Sequence, residues 1–251
     1  MALLEARGIN KTYGHVAALS SCDFDVEAGE ITALIGDNGA GKSTLIKILS
    51  GTEQPDSGKI AFEGKEIAIE SPYRARSLGI ETVYQDLALC PHLDATRNLF
   101  LGREVKKSAP WGWFGFMNKA AMKERSVDAF ADLGAAVRSL RMPVENMSGG
   151  QKQSIAVARA ATWANKVIFL DEPTAALGVV QTKNVLDLVK RVRDKGLGVV
   201  YISHSMPEIL QVADKIQVLR RGKRVKTYKA SDASIEELVG AMTGKFEDTA
   251  A

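Results

Sequence analysis

The run Gly36-Asp37-Asn38-Gly39-Ala40-Gly41-Lys42-Ser43-Thr44 satisfies the spacing G-x-x-x-x-G-K-[ST]. Glycines at those positions let the backbone curl so that successive N–H groups point inward at phosphate oxygens, and a helix beginning there adds positive partial charge. Lys42 then supplies a full charge to the terminal phosphates, and Ser43 offers a hydroxyl to Mg²⁺. A second chemical signal is Val167-Ile168-Phe169-Leu170-Asp171-Glu172, an apolar run ending in two carboxylates. Ligands of open α/β sheets sit at the carboxyl ends of strands. Asp171 is therefore placed to hold Mg²⁺ through its water shell, and Glu172 to orient and deprotonate an attacking water.

Both signals require particular elements around them. Ile31 to Ile35 is almost continuously apolar, as a buried strand must be, and Leu45, Ile46, Ile48 and Leu49 fit one helix face with Gly51 as its stop. Strand, glycine loop and helix thus follow in the order that phosphate binding needs. Leu4 to Ile9 and Cys22 to Val26 read as strands. Lys59 to Phe62 and Ile67 to Ile69 add a pair turned at Glu63-Gly64-Lys65, which predicts a small antiparallel β layer. Helical signals run from about Leu93 to Ala161 with a break at Pro110 to Gly115, an inserted helical subdomain. Val167 to Leu170 and Val199 to Ile202, with a helix over Val179 to Lys195 between them, predict a right-handed parallel crossover. A hairpin at Lys215 to Tyr228 and a closing helix over Ile235 to Met242 complete an α/β reading.

A third signal is Asn146-Met147-Ser148-Gly149-Gly150-Gln151 before the helical run Lys152 to Thr162, with Ser148 as N-cap and the Gly149 and Gly150 amides turned to an anion. It resembles the signature sequence of ATP-binding-cassette (ABC) proteins. Other positions match that family in order: Tyr13 resembles the aromatic that stacks on adenine, Gln85 the glutamine that touches Mg²⁺ and water, and His204 the histidine that contacts the γ-phosphate. Alone each is an ordinary residue; the shared order from about Leu4 to Lys226 gives them weight. The resemblance implies a P-loop NTPase core of mixed, mainly parallel sheet (1–85 and 162–230), an antiparallel β subdomain, a helical signature subdomain (86–161) and a C-terminal helix and tail (231–251). It implies ATP and Mg²⁺ as ligands. It also implies a second copy of the chain, so that Gly36 to Thr44 of one faces Ser148, Gly149, Gly150 and Gln151 of the other.

Ser71-Pro72-Tyr73-Arg74-Ala75-Arg76-Ser77-Leu78-Gly79-Ile80, Pro91-His92-Leu93 and Asn98 to Glu104 look like the ATPases of bacterial monosaccharide importers of the ribose, xylose, galactose and fructose type. The expected partners are membrane-spanning permease subunits and, indirectly, an extracytoplasmic sugar-binding protein, with the chain peripheral on the cytoplasmic face of the cell membrane. An importer of another small solute is the alternative. A soluble cassette of DNA repair or translation would bring coiled-coil arms, zinc cysteines or a second cassette, and a kinase would bring an acceptor motif. Two departures stand out: Met147 replaces the usual Leu, and Gly178 replaces the family's aspartate, as either a helix-entry turn or a regulatory change.

The composition agrees with this reading. The chain has 251 residues, 45% apolar and 25% charged, and a formal charge of +3, too dispersed to predict nucleic acid binding. No apolar run approaches the ~20 residues of a membrane span, and the two cysteines, Cys22 and Cys90, lack metal or disulfide spacing. The aromatic cluster Trp111, Trp113, Phe114 and Phe116 is expected to pack back on the helical subdomain rather than meet a membrane partner. The basic run from Arg220 to Lys229 is expected to be a solvated hairpin.

Overall fold

The computed structural model describes residues 2–135, 137 and 139–245. Alternating residues open the chain as an antiparallel hairpin of β1 (Leu4–Tyr13) and β2 (Val16–Val26), with Leu4 opposite Val26 and Tyr13 opposite Val16. Both strands run longer than the apolar pattern indicates, and Tyr13 is a strand residue. The apolar run becomes β3 (Ile31–Ile35), the glycine loop follows, and then α1 (Lys42–Leu49). β4 (Ser57–Phe62) and β5 (Lys65–Ile67) turn at Glu63 and Gly64, both left-handed, and complete an antiparallel sheet of order β2-β1-β4-β5.

After α2 (Pro72–Ser77) and β6 (Ile80–Val83) come three helices, α3 (Ala95–Phe100), α4 (Lys119–Asp132) and α5 (Gly149–Trp163). The sequence pattern predicts near-continuous helix here with one break. The structure corrects this, because left-handed Gly102 and Gly134 follow the ends of α3 and α4 and leave long irregular connections. β7 (Val167–Asp171), α6 (Val179–Asp194) and β8 (Gly198–Ile202) form the expected parallel crossover. α7 (Met206–Val212), the hairpin β9 (Lys215–Arg220) and β10 (Lys223–Lys229), and α8 (Ile235–Thr243) finish the described chain. Of the expected C-terminal tail, residues 246–251 lie outside the described residues.

The second sheet has the order β10-β9-β3-β8-β7-β6, parallel except for β10. Its central strands β3, β7 and β8 are apolar on both faces because both faces are covered. Ile31, Ala33, Ile168, Leu170, Val199 and Tyr201 face the layer built by α3 to α8. Their neighbours Leu34, Val167, Phe169, Val200 and Ile202 face α1 and the antiparallel sheet. The period of two along each strand thus divides one sheet between two cores. Cys22 lies in the second core, where burial pushes its thiol up to about 12, and Cys90 is half-buried. Among the described residues no helix is long and apolar enough to cross a membrane.

Of the two surface expectations, the solvated hairpin holds in the main, with Arg221, Lys223, Lys226 and Lys229 exposed, and the aromatic packing does not. The β9–β10 hairpin is basic, but Arg224 is drawn inward to Asp25, and Lys226 lies 4.5 Å from the centroid of the Tyr228 ring. The aromatic cluster does not pack back: Trp113 is 84% and Phe114 77% exposed. Their loop hydrogen-bonds to itself, and its rings are left facing outward.

Candidate nucleotide-binding site

α1 begins without a side-chain cap. Its N-cap is Gly41 at φ 102°, whereas α2, α3, α4 and α5 are capped by Ser71, Asp94, Asn118 and Ser148. The open end leaves the first amides of α1 to an external acceptor. Glycine is needed at the approach too, since a Cβ on Gly36 would sit 2.4 Å from the Leu219 carbonyl oxygen. Lys42 is buried beneath this loop, where Nζ donates to the Gly36 carbonyl at 2.7 Å and the Asp37 carbonyl at 3.1 Å. Burial lowers its pKa, and the charges of Glu172, Asp171 and Asp37 oppose that shift.

The β7 strand ends where expected. Asp171 is its last residue, and Glu172 follows in a left-handed backbone at φ 49°, with its N–H donated to the Ile202 carbonyl at 3.0 Å. Burial raises the Asp171 pKa, reinforced by neighbouring Glu172 and opposed by Lys42 and His204. A carboxylate pressed towards its neutral form beside a second carboxylate gains from an added cation. His204 follows β8, and its Nε2 lies 2.6 Å from Glu172 Oε1. Beyond Glu172, Thr174 is held by Glu208 at 2.5 Å and Tyr201 by the same carboxylate at 2.9 Å, which fixes the segment that carries the two acids.

These groups converge on one cleft of about 410 Å³. Tyr13, residues 38 to 44 of the glycine loop, Gln85, Asp171, Glu172 and His204 line it, while Gly36 and Asp37 stand behind as the anchors of Lys42. Tyr13 sits at the rim, 42% exposed, with Lys11 Nζ 5.7 Å from its ring centroid, so a flat face is offered to a planar ligand. Ser43, Gln85 and Asp171 bring a hydroxyl, an amide and a carboxylate. Such a set of hard oxygen donors suits Mg²⁺ and leaves the remaining positions to phosphate oxygens and water.

The signature residues are not brought there. Ser148 caps α5 through a capping box, its Oγ accepting from the Gln151 N–H at 3.4 Å while the Ser148 N–H donates to Gln151 Oε1 at 3.1 Å. Ser148, Gly150 and Gln151 instead line a separate open groove with Val180, Gln181 and Asn184, and Gly149 is exposed beside them. Gly150 has a packing duty that the motif does not reveal, because a Cβ there would lie 2.7 Å from Gln181 Cγ. Gly178 is the N-cap of α6 at φ −75°, so the helix-entry turn is its observed place, and no backbone strain requires glycine.

Sequence reasoning missed two contributors. Val16, Ala17 and Ala18 line the cleft because the β1–β2 hairpin brings them beside Tyr13; the alternation of Cys22 to Val26, extended backwards, would have signalled them. Arg159 of α5 donates to the Leu87 carbonyl at 2.9 Å and the Ala88 carbonyl at 2.8 Å, tying the signature helix to the loop after Gln85. Leu87 and Ala88 both have positive φ. No local pattern marks that link.

A glycine loop behind a buried strand, an uncapped helix, an inserted lysine and a carboxylate pair at a neighbouring strand end define a P-loop nucleotide hydrolase. The family model described as ABC transporter matches residues 19–175. The fructose import ATP-binding protein of Rhizobium meliloti is 48% identical over 247 residues, 98% of this chain and 95% of that protein. The xylose/arabinose import ATP-binding protein of Sulfolobus acidocaldarius is 48% identical over 241 residues, 96% of this chain and 94% of that one. A ribose import ATP-binding protein of Rubrobacter xylanophilus is 39% identical over 97% of this chain, which spans 47% of its length. Among solved structures, a nucleotide-free ATP-binding cassette from an ABC transporter superposes with a TM-score of 0.80 at 25% identity, over 97% of this chain and 96% of that one. The chain belongs to the ATP-binding cassette family of ABC transporters, and it is an ATPase of that family.

Proposed function

We propose that this chain hydrolyses ATP to energise the import of a monosaccharide through membrane-spanning permease subunits. The carrying observation is 48% identity, over nearly the full length of both chains, to import ATP-binding proteins for fructose and for xylose/arabinose. The chain then works on the cytoplasmic face of the membrane, and an extracytoplasmic sugar-binding protein delivers the solute.

In this reading Tyr13 stacks on adenine, and the amides of residues 38 to 44 hold the phosphates. Lys42 exchanges its carbonyl partners for phosphate oxygens, a move favoured by its dehydrated ammonium. Ser43, Gln85 and Asp171 hold Mg²⁺, which when bound neutralises charge on the phosphates. Glu172 takes a proton from the attacking water as that water's oxygen bonds to the γ-phosphorus and the bond to ADP breaks. His204, 2.6 Å from Glu172, aims the carboxylate and faces the γ-phosphate. Ser148, Gly149, Gly150 and Gln151 of a second copy complete the phosphate shell. ATP therefore binds the closed pair more tightly than the open one, and hydrolysis releases it.

The test is uptake of labelled ribose, xylose, galactose and fructose by the source cell carrying Lys42→Ala. Loss of one sugar establishes the function and identifies the solute. Normal uptake of all four, in a strain without a redundant importer, refutes the sugar assignment.

A further inference from the structure

Between α3 and α4 the chain forms a closed loop that the nucleotide site does not use. Its backbone is satisfied largely from within. The Lys107 N–H donates to Phe116 O at 2.9 Å, Gly112 to Ser108 O at 3.1 Å, Phe116 to Trp111 O at 3.3 Å, and Asn118 to Val105 O at 2.6 Å. A Cβ on Gly112 would lie 2.0 Å from the Lys107 carbonyl oxygen, so the closure depends on glycine. With the backbone turned in on itself, the rings turn out: Trp111, Trp113, Phe114 and Phe116 are 60%, 84%, 77% and 52% exposed. Trp111 and Phe116 meet edge to face at 5.9 Å, which braces the tip. Lys106 and Lys107 are exposed at the stem, and Lys119 and Lys123 on the first turns of α4. With Arg97 and Arg141, these last two line a cavity of about 140 Å³ whose one carboxylate is Asp94.

We propose that this loop is a membrane-contact element that seats its aromatic tip at the headgroup level of an anionic bilayer, with the stem lysines against the lipid phosphates. Indole and phenyl rings flanked by lysines match the polarity gradient of that interface, and a contiguous apolar tip is costly to leave in water. A backbone already hydrogen-bonded largely to itself enters a less polar layer with fewer amides to desolvate. The positive stem is complementary to acidic headgroups, and each lysine near such a surface is worth about fivefold in affinity. This contact goes beyond the transport reading and does not depend on which solute is moved.

The purified full chain is mixed with vesicles of phosphatidylcholine alone, or of phosphatidylcholine and phosphatidylglycerol in equal parts. The expected result is co-sedimentation with the mixed vesicles only, a blue shift of tryptophan emission, and quenching by brominated lipid. Trp113→Ser/Phe114→Ser lowers partitioning by roughly tenfold or more, and Lys106→Gln and Lys107→Gln lower it by about fivefold each. All these positions are exposed, so unchanged thermal melting shows that the variants fold. No partitioning into mixed vesicles, or equal partitioning of the serine variant, overturns the proposal. It is equally overturned if the wild-type chain ignores vesicles while the serine variant loses only assembly with the permease, since the rings are then a protein contact.

Discussion

In the proposed cycle the glycine-loop cleft and the signature groove meet the same ligand, and the two are built in opposite ways. In the cleft, the cation is buried and held by two backbone carbonyls, and the carboxylates stand at the end of a central strand. In the groove, Ser148 and Gln151 lie on an open surface beside Val180, itself 69% exposed, and no lining residue is shared with the cleft. One region has the charge and the chemistry but no cover; the other has helix-terminal amides and little else. Under the proposed function a single copy then carries two complementary halves of a site, and a second copy is required to join them.

Variants that act on one region alone separate the two. The largest effect is expected from Glu172→Gln, which keeps the shape of the carboxylate but not its basicity. Phosphate release in single-turnover assays should slow by about 10²- to 10⁴-fold, while ATP still binds and closed dimers accumulate. Rapid turnover would place the base elsewhere. Lys42→Ala removes a charge-assisted contact of about 1.5–3 kcal/mol, hence roughly ten- to a hundredfold in nucleotide affinity. Titration with a fluorescent ATP analogue reads this directly, and unchanged affinity would sink the assignment of the loop.

Ser148→Asp isolates the other half. Aspartate caps a helix as well as serine, so α5 should keep its stability, but its charge would repel phosphate. ATP-driven dimerisation measured by sedimentation should weaken by about tenfold, with ATP affinity of the monomer unchanged. A loss of monomer affinity would mean that the two halves are not separate. The smallest effect belongs to Gly178→Asp. Its Cβ meets only the movable Gln181 Oε1 at 2.7 Å, and the new carboxylate would cap α6. Stability should rise by a few tenths of a kcal/mol, visible as a slightly higher melting temperature. Altered cooperativity of hydrolysis in this variant would assign Gly178 a part in communication between sites as well.

The cleft was legible in the sequence because its parts are local: Gly36 to Thr44 and Asp171-Glu172 are contiguous, and each follows an apolar strand that periodicity marks. The signature turn was legible as a cap for the same reason. What pairs over long separations was hidden. Gly14 and the polar residues around it disguise the joint between β1 and β2, so Val16 to Ala18 were missed as lining residues. Arg159 reaches carbonyls more than seventy positions away in sequence, and no spacing announces that. The exposed rings of Trp113 and Phe114 reversed the packing expectation, because composition says that a residue is apolar but not which way its loop turns it.

The Arg159 bridge has a mechanical consequence. Two successive left-handed residues other than glycine, Leu87 and Ala88, store on the order of 1–3 kcal/mol each. A guanidinium fork from α5 grips both carbonyls. The loop that leaves the Gln85 side of the cleft is therefore a loaded catch whose keeper sits on the helix that begins at Ser148. Any rotation of α5 must either carry that loop along or let it spring into a relaxed backbone. A displacement at the signature end of the molecule would reach, through this one side chain, the backbone beside the glutamine.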